Sequence, residues 1–305
     1  LPFCERSGTP TEITLKLQKI VTCPGPARER MFGHHSYRQL LSINLYHDAR
    51  TTPVISDDER MQAPGAPTAQ PHRLPRVTSF RTRRSTLSGG QQNTWDRRWP
   101  ELGMQARHED SQPVVGLDTA KWFGRDAPLI LEIGSGTGTS TLAMAQAEPD
   151  IDVIAVEVYR KGLAQLLSAI DRASETDPVT NIRLIRGDGV DVLEHMIGSG
   201  SLTGVRVFFP DPWPKARHHK RRLLQPATVA LIADRLRPGG ILHAATDHAG
   251  YGEYIAEVGD AVPLLRRVPV GQADLPISVR RPVTKYEHKA LAGTDVVELV
   301  WERRS

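Results

Sequence analysis

From residue 128 onward, short apolar runs rich in β-branched residues recur between longer segments of helical periodicity. The runs are "LILEIG" (129–134), "DVIAVE" (152–157), "IRLIRGD" (182–188), "VRVFFPD" (205–211) and "ILHAATD" (241–247), and most of them end on a carboxylate. Runs of this length that stay apolar instead of alternating predict strands buried on both faces of a parallel sheet. Between them, Leu163, Leu166, Leu167 and Ile170 follow the i, i+3, i+4, i+7 spacing, as do Val229, Ile232, Ala233 and Leu236. Each set predicts a helix with one apolar stripe. Asp295 to Arg303 alternates as an amphipathic strand. Strands alternating with helices predict a doubly wound α/β sheet, in which ligands bind beyond the carboxyl ends of the strands. Glu132, Glu157, Asp188, Asp211 and Asp247 fall on that rim.

Ahead of this region the pattern breaks down. Prolines, glycines and polar residues interrupt every apolar run from Leu1 to Pro75, and "MQAPGAPTAQPHRLP" (61–75) has the composition of a linker. Residues 1–75 are therefore expected to form a disordered or poorly ordered extension, with the folded domain at 76–305. The first residue is Leu1, with Met31 and Met61 downstream, which is compatible with a misplaced start for part of the extension. At 305 residues and 39% apolar composition the chain can bury a sizeable core. Its net charge of +4 is mild, so the location of the cations matters more than their sum. Arg73, Arg76, Arg81, Arg83, Arg84, Arg97 and Arg98 oppose only Asp96. This run, including the basic stretch 76–100, reads either as an arm for a phosphate backbone or as a solvated tail. Cys4 and Cys23 are the two cysteines and lie far from every motif, which points to neither a disulfide framework nor a thiolate metal site. No apolar run approaches the roughly 18 residues of a membrane span, and the expected location is the cytoplasm.

"EIGSGTGTS" places Gly134, Gly136 and Gly138 between a predicted strand and a predicted helix, where the backbone can turn tightly and approach a ligand. A dinucleotide fingerprint would carry glycine at the position held by Thr139. The pattern instead resembles the first motif of class I S-adenosylmethionine-dependent methyltransferases. A carboxylate ending the second strand, Glu157, suits both ribose hydroxyls. On the same resemblance Asp188 would accept from the adenine amino group, and Glu132 would face the methionine ammonium.

The segment "FFPDPWPKARHHKRR" (208–222), with "ATD" (245–247) and "RPVTKYEHKA" (281–290), is similar to the tRNA (guanine-N7-)-methyltransferase family over residues 76–305. The resemblance implies a doubly wound, seven-stranded, mostly parallel Rossmann-like methyltransferase sheet. It implies transfer of a methyl group from S-adenosylmethionine to N7 of guanosine 46 in the tRNA variable loop. Cofactor contacts are implied at Glu132, Gly134, Gly136, Gly138, Glu157, Asp188 and Asp211. Substrate contacts are implied at Lys215, Arg217, His218, His219, Lys220, Arg221, Arg222 and Asp247, and at Thr284, Lys285, Tyr286 and Glu287. "EVYRKG" (157–162) departs from the family pattern after the second strand.

Guanine N7 carries an in-plane lone pair and no proton, so its methylation needs no base. Positive charge moves onto the purine as the methyl arrives, and a carboxylate made rigid by Pro210, Pro212 and Pro214 can stabilise it. Asp211 is the candidate catalytic residue. The cations that follow would hold phosphates. The alternative, an exposed first turn of the next helix, sets positive charge against the helix dipole. Adjacent His218 and His219 lack the spacing of a metal site, and no metal is expected. Trp213 suits either base stacking or packing. Two rival functions stay open: a small-molecule methyltransferase on the same fold, and a non-catalytic RNA-binding protein. Oligomeric state is not indicated.

Overall fold

The computed structural model describes residues 77–80, 86–173, 177–282 and 295–305, all within one compact unit, Pro71–Ser305. The expectation of disorder over 1–75, most of the arginine run, and Thr284, Lys285, Tyr286 and Glu287 lie outside the described residues.

The strands are β1 (Gly103–Gln105), β2 (Leu129–Ile133), β3 (Asp152–Glu157), β4 (Ile182–Arg186), β5 (Leu202–Phe208), β6 (Leu236–Thr246), β7 (Leu265–Val268) and β8 (Val297–Arg303). They form one sheet in the order β1-β4-β3-β2-β5-β6-β8-β7. All neighbours from β1 to β6 run parallel, while β8 is antiparallel to both β6 and β7. The sheet has eight strands where seven were expected, because Gly103–Gln105 adds an edge beside Leu184–Arg186. Three residues without an apolar run leave no readable strand signal.

The helices are α1 (Gly89–Leu102), α2 (Thr119–Phe123), α3 (Thr139–Ala147), α4 (Arg160–Ala173), α5 (Gly189–Asp191), α6 (Pro226–Arg235) and α7 (Ala249–Asp260). Residues of α1, α3 and α4 pack with Ile130, Val153, Ala155 and Leu184 on one face of the sheet. Residues of α6 and α7 pack with Leu129, Leu131, Val205 and Leu242 on the other. Alternation along the strands therefore feeds two cores, as a doubly wound sheet requires.

Local chemistry sets the helix ends. Ser88 caps α1 by accepting from the Gln91 amide, and the Gln91 side chain accepts from the Ser88 amide, a reciprocal pair that satisfies two orphan donors. In α4 the predicted stripe of Leu163, Leu166, Leu167 and Ile170 is fully buried. Pro226 opens α6, where its missing N–H is no loss. Leu236, the last residue of the predicted α6 stripe, instead begins β6. Among the described residues no helix is long and apolar enough to cross a membrane. Strand order reverses between β2 and β5, and a crevice forms at such a switch point beyond the carboxyl ends.

Candidate active site at the strand switch point

A cavity of about 530 Å³ opens at that reversal. Gly134 and Gly136 from the turn after β2, Glu157 at the end of β3, Asp188 after β4, and Phe209 and Asp211 after β5 line it. Gly134, Gly136 and Gly138 have φ of 81°, 58° and 75°, backbone that glycine adopts at no steric cost. Space separates their roles. A Cβ on Gly136 would meet nothing within 4 Å, whereas one on Gly138 would sit 2.5 Å from Leu166 Cδ1. Gly136 thus faces open room for a ligand, and Gly138 lets α4 pack against the loop.

Three of the five rim acids reach the cavity wall: Glu157, Asp188 and Asp211. Glu157 is 7% exposed. Its Oε2 accepts from the Gly136 amide at 2.9 Å and its Oε1 from the Tyr159 amide at 2.9 Å. These bonds fix the carboxylate to the glycine loop, and an ionised carboxylate has about four acceptor sites in all. Asp188 caps α5, with Oδ1 accepting from Val190 at 3.0 Å. Asp211 is exposed at the lip.

Glu132 and Asp247 stand elsewhere. Glu132 is 3% exposed, does not line the cavity, and accepts from the Thr141 hydroxyl at 3.0 Å. It lies two residues before Gly134, inside the core. Its Oε2 has no hydrogen-bond partner among the described residues. Burial pushes its carboxyl above the ordinary range, while the Arg206 charge and the Thr141 hydroxyl pull it back. Asp247 follows β6 on the same rim, exposed and off the cavity wall.

The turn after β5 reverses direction through two residues that are not glycine. Phe209 has φ of 51° and Trp213 of 45°, a left-handed conformation that costs about 1–2 kcal/mol each. Trp213 is 3% exposed. Its indole N–H donates to the Ser79 carbonyl at 3.0 Å, and the Arg221 guanidinium lies 4.7 Å from its ring centroid. Of the two readings of Trp213, the structure favours packing.

A 3₁₀ helix, Ala216–Arg221, carries the basic run. Lys215, Arg217 and Lys220 are exposed and His218, His219 and Arg221 half-buried. Arg222, expected to touch RNA, differs from these in being only 5% exposed. Its Nε donates to the Pro212 carbonyl at 3.0 Å, and its Nη2 lies 3.2 Å from His219 Nε2. Its Cζ stands 4.7 Å from the Tyr251 ring and 5.0 Å from the Tyr254 ring. Burial raises the Tyr251 hydroxyl to about 12, so it stays neutral beside that guanidinium. Two arginines of the N-terminal run are also committed: Arg97 forms paired bonds to Asp171 at 2.9 and 2.6 Å, and Arg98 bonds Glu101 at 2.8 Å.

Several contributors escaped the sequence reading. Ser79 and Phe80 join the cavity wall, as do Tyr159 and Lys161 of the "EVYRKG" segment. Gly162 in that segment is needed because a Cβ there would come within 2.2 Å of the Gly136 carbonyl oxygen. Glycine so soon after a strand-end acid was the available signal. Beneath the rim, Glu132, Arg206 and His243 are register partners across β2, β5 and β6. Arg206 is fully buried and bonds Glu148 at 2.7 Å and the Ser278 carbonyl at 3.1 Å. His243 lies 2.5 Å from Glu298 Oε1, and Glu298 Oε2 is 3.7 Å from Arg281 Nη2. Burial pulls His243 below its ordinary value, against the pull of Glu298. Nothing in "VRVFF" or "ILHAATD" marks these residues as partners. Asp191, Glu194 and His195 are close enough to gather around an ion, but both Asp191 oxygens accept from Arg107, at 2.7 and 2.9 Å.

Residues 126–299 match a family model described as "Putative methyltransferase". Curated relatives named tRNA (guanine-N(7)-)-methyltransferase align over most of the chain. The protein of Mycobacterium sp. (strain KMS) is 78% identical over 238 residues, 78% of this chain and 84% of that one. That of Mycolicibacterium gilvum (strain PYR-GCK) is 71% identical over 262 residues, 82% of this chain and 99% of that one. Among solved structures, the 16S rRNA methyltransferase KamB is similar at a TM-score of 0.41 and 16% identity, covering 63% of this chain and 99% of that chain.

Proposed function

The chain belongs to the tRNA (guanine-N(7)-)-methyltransferase family, and from that premise we propose that it methylates N7 of guanosine 46 in the tRNA variable loop, in the cytoplasm, with S-adenosylmethionine as donor. The observation that carries this reading is the joining of a carboxylate-walled cavity, at Glu157, Asp188 and Asp211, to an exposed basic 3₁₀ helix through one short turn. A small-molecule enzyme would need the first feature only, and an RNA-binding scaffold the second only.

The cavity suits the donor by the chemistry of its walls. The left-handed backbone at Gly136 leaves room that a Cβ would enter. Glu157 is oriented for ribose hydroxyls and Asp188 for the adenine amino group. Glu132, behind the wall, anchors α3 beneath the methionine end through its bond to Thr141. Bound S-adenosylmethionine supplies an electrophilic methyl on a sulfonium. Asp211 accepts from the guanine N–H edge and stabilises the positive charge that forms on the purine, with no proton transfer required at N7. Lys215, Arg217 and Lys220 hold phosphates, with Arg221 and the histidines at their edge. Asp247 and the stretch Thr284–Glu287 complete the contact to the base.

The test is methylation of bulk tRNA lacking the modification, followed by chain cleavage at 7-methylguanosine. A single cleavage at position 46 is expected, with no transfer to free guanine or guanosine. Transfer to the small purines alone would favour the first rival, and tRNA binding without turnover the second.

A further inference from the structure

We propose that Arg222 and Arg281 are positioning residues, two buried guanidiniums that hold the turn from Phe209 to Trp213, and with it Asp211, at the mouth of the cavity. The inference rests on the proposed methyl transfer for its consequence but on packing alone for its geometry. Asp211 sits midway between two non-glycine residues at positive φ, Phe209 and Trp213. Such backbone persists only where its surroundings over-determine it, and an arginine stands at each end.

At the entry, the Arg281 guanidinium lies 5.0 Å from the Phe209 ring and 5.7 Å from the Phe208 ring. Its side chain is 6% exposed and pairs with Glu298. Glu298 bonds His243, whose ring meets Phe208 edge-on at 4.9 Å. Both phenylalanines line the cavity. At the exit, Arg222 donates to the Pro212 carbonyl, next to Asp211, while its guanidinium lies over the neighbouring rings of Tyr251 and Tyr254. Tyr254 is held by its hydroxyl bond to Gln225, and Gln225 bonds the His219 carbonyl. One residue therefore links the turn, α7 and the basic 3₁₀ helix.

The chemistry requires arginine. A guanidinium stacks on a ring with its face and donates from its edge, and a lysine ammonium cannot do both. No carboxylate forms an ion pair with Arg222 among the described residues, and a buried charge met by a carbonyl dipole, the His219 ring nitrogen and two aromatic rings is a poor device for stability. Its value lies in fixing one geometry. A residue reserved for phosphates would be exposed, as Lys220 is.

Arg222→Lys and Arg281→Lys keep the charge and remove the planar fork. Three readouts apply to each: single-turnover methylation of unmodified tRNA at saturation of both ligands, tRNA affinity across a salt series, and amide hydrogen exchange over residues 208–214. The rate should fall at least about tenfold through misplacement of the carboxylate, the salt slope should stay unchanged, and exchange in the turn should quicken. Lys220→Ala should instead give a salt slope shallower by about one with unchanged exchange over residues 208–214. Arg222→Lys with wild-type rate and exchange but a shallower slope would overturn the proposal and return Arg222 to phosphate contact. If the wild-type protein does not methylate tRNA, the proposed function fails while exchange still decides the clamp: faster exchange in both variants sustains it, and unchanged exchange removes it. If a lysine variant does not fold, Tyr254→Leu deletes one of the two rings under the Arg222 guanidinium. Faster exchange in that variant supports the clamp, and unchanged exchange refutes it.

Discussion

The turns after β2 and after β5 leave the same rim, line the same cavity and both pass through left-handed backbone, yet they reach it by opposite means. After β2 three glycines adopt positive φ, where lacking a side chain removes the steric objection. The loop is then tied down by the Glu157 carboxylate and by the Gly134 and Ser135 amides, which donate to the Val156 carbonyl. After β5 the same backbone region is imposed on a phenylalanine and a tryptophan, with Arg281 packed against it at the entry and Arg222 bonded to it at the exit. The first turn makes a cradle through what is missing. The second makes a rigid lever through what surrounds it, and the lever carries the carboxylate assigned to the chemistry.

The largest effect should come from breaking the lever at its tip. Asp211→Asn keeps the shape and removes the charge, and we expect the single-turnover rate at saturation of both ligands to fall about 10²-fold or more, with tRNA affinity held. A wild-type rate would separate the turn from the chemistry. Next is the cradle. Gly138→Ala meets both strain at φ 75° and Leu166 at 2.5 Å, so urea unfolding should show a loss of about 2 kcal/mol or more. Gly136→Ala meets only the strain and should cost about half as much. Equal costs would mean that packing against α4 does not distinguish the two glycines.

Glu157→Ala should weaken S-adenosylmethionine binding by about 1–3 kcal/mol in calorimetry, the range for losing hydrogen bonds to a charged acceptor. Unchanged affinity would remove Glu157 from the cofactor site. The smallest effect concerns the network beneath the lever. Burial lowers the pKa of His243 in the folded state, so as pH falls the unfolded chain takes up this proton first. Stability from this group is complete above about pH 6.5 and declines as pH drops through the lowered folded value. His243→Gln should narrow the difference in melting temperature between neutral and mildly acidic pH. An unaltered difference would show that His243 does not set the acid-side loss.

The strand runs, the helix stripes and the glycine loop were legible because each repeats a period that the sheet or helix imposes. The rim acids were legible as strand ends but not by depth. Glu132 and Glu157 both close apolar runs, but Glu132 is followed by one more strand residue, Ile133, and that step leaves it inside the core. The basic run hid its division for a similar reason. In a 3₁₀ helix side chains three apart eclipse, which brings His219 and Arg222 together while Lys220 stays outside. A string of cations offers no apolar mark from which to read that phase. Arg206, His243 and Arg281 pair across strands and loops far apart in sequence, and only the folded register brings them together.

The order of the sheet has a consequence for how molecules meet one another. Its two outer strands are the three residues of β1 and the four of β7, and the middle of β7 is Arg266 and Arg267, both exposed and each bonded to a carboxylate. Long apolar strands such as β3 and β5 all lie inside. Edge-to-edge recruitment of a second copy would find short templates at both ends and a charged one at β7, a known defence against fibrillar growth.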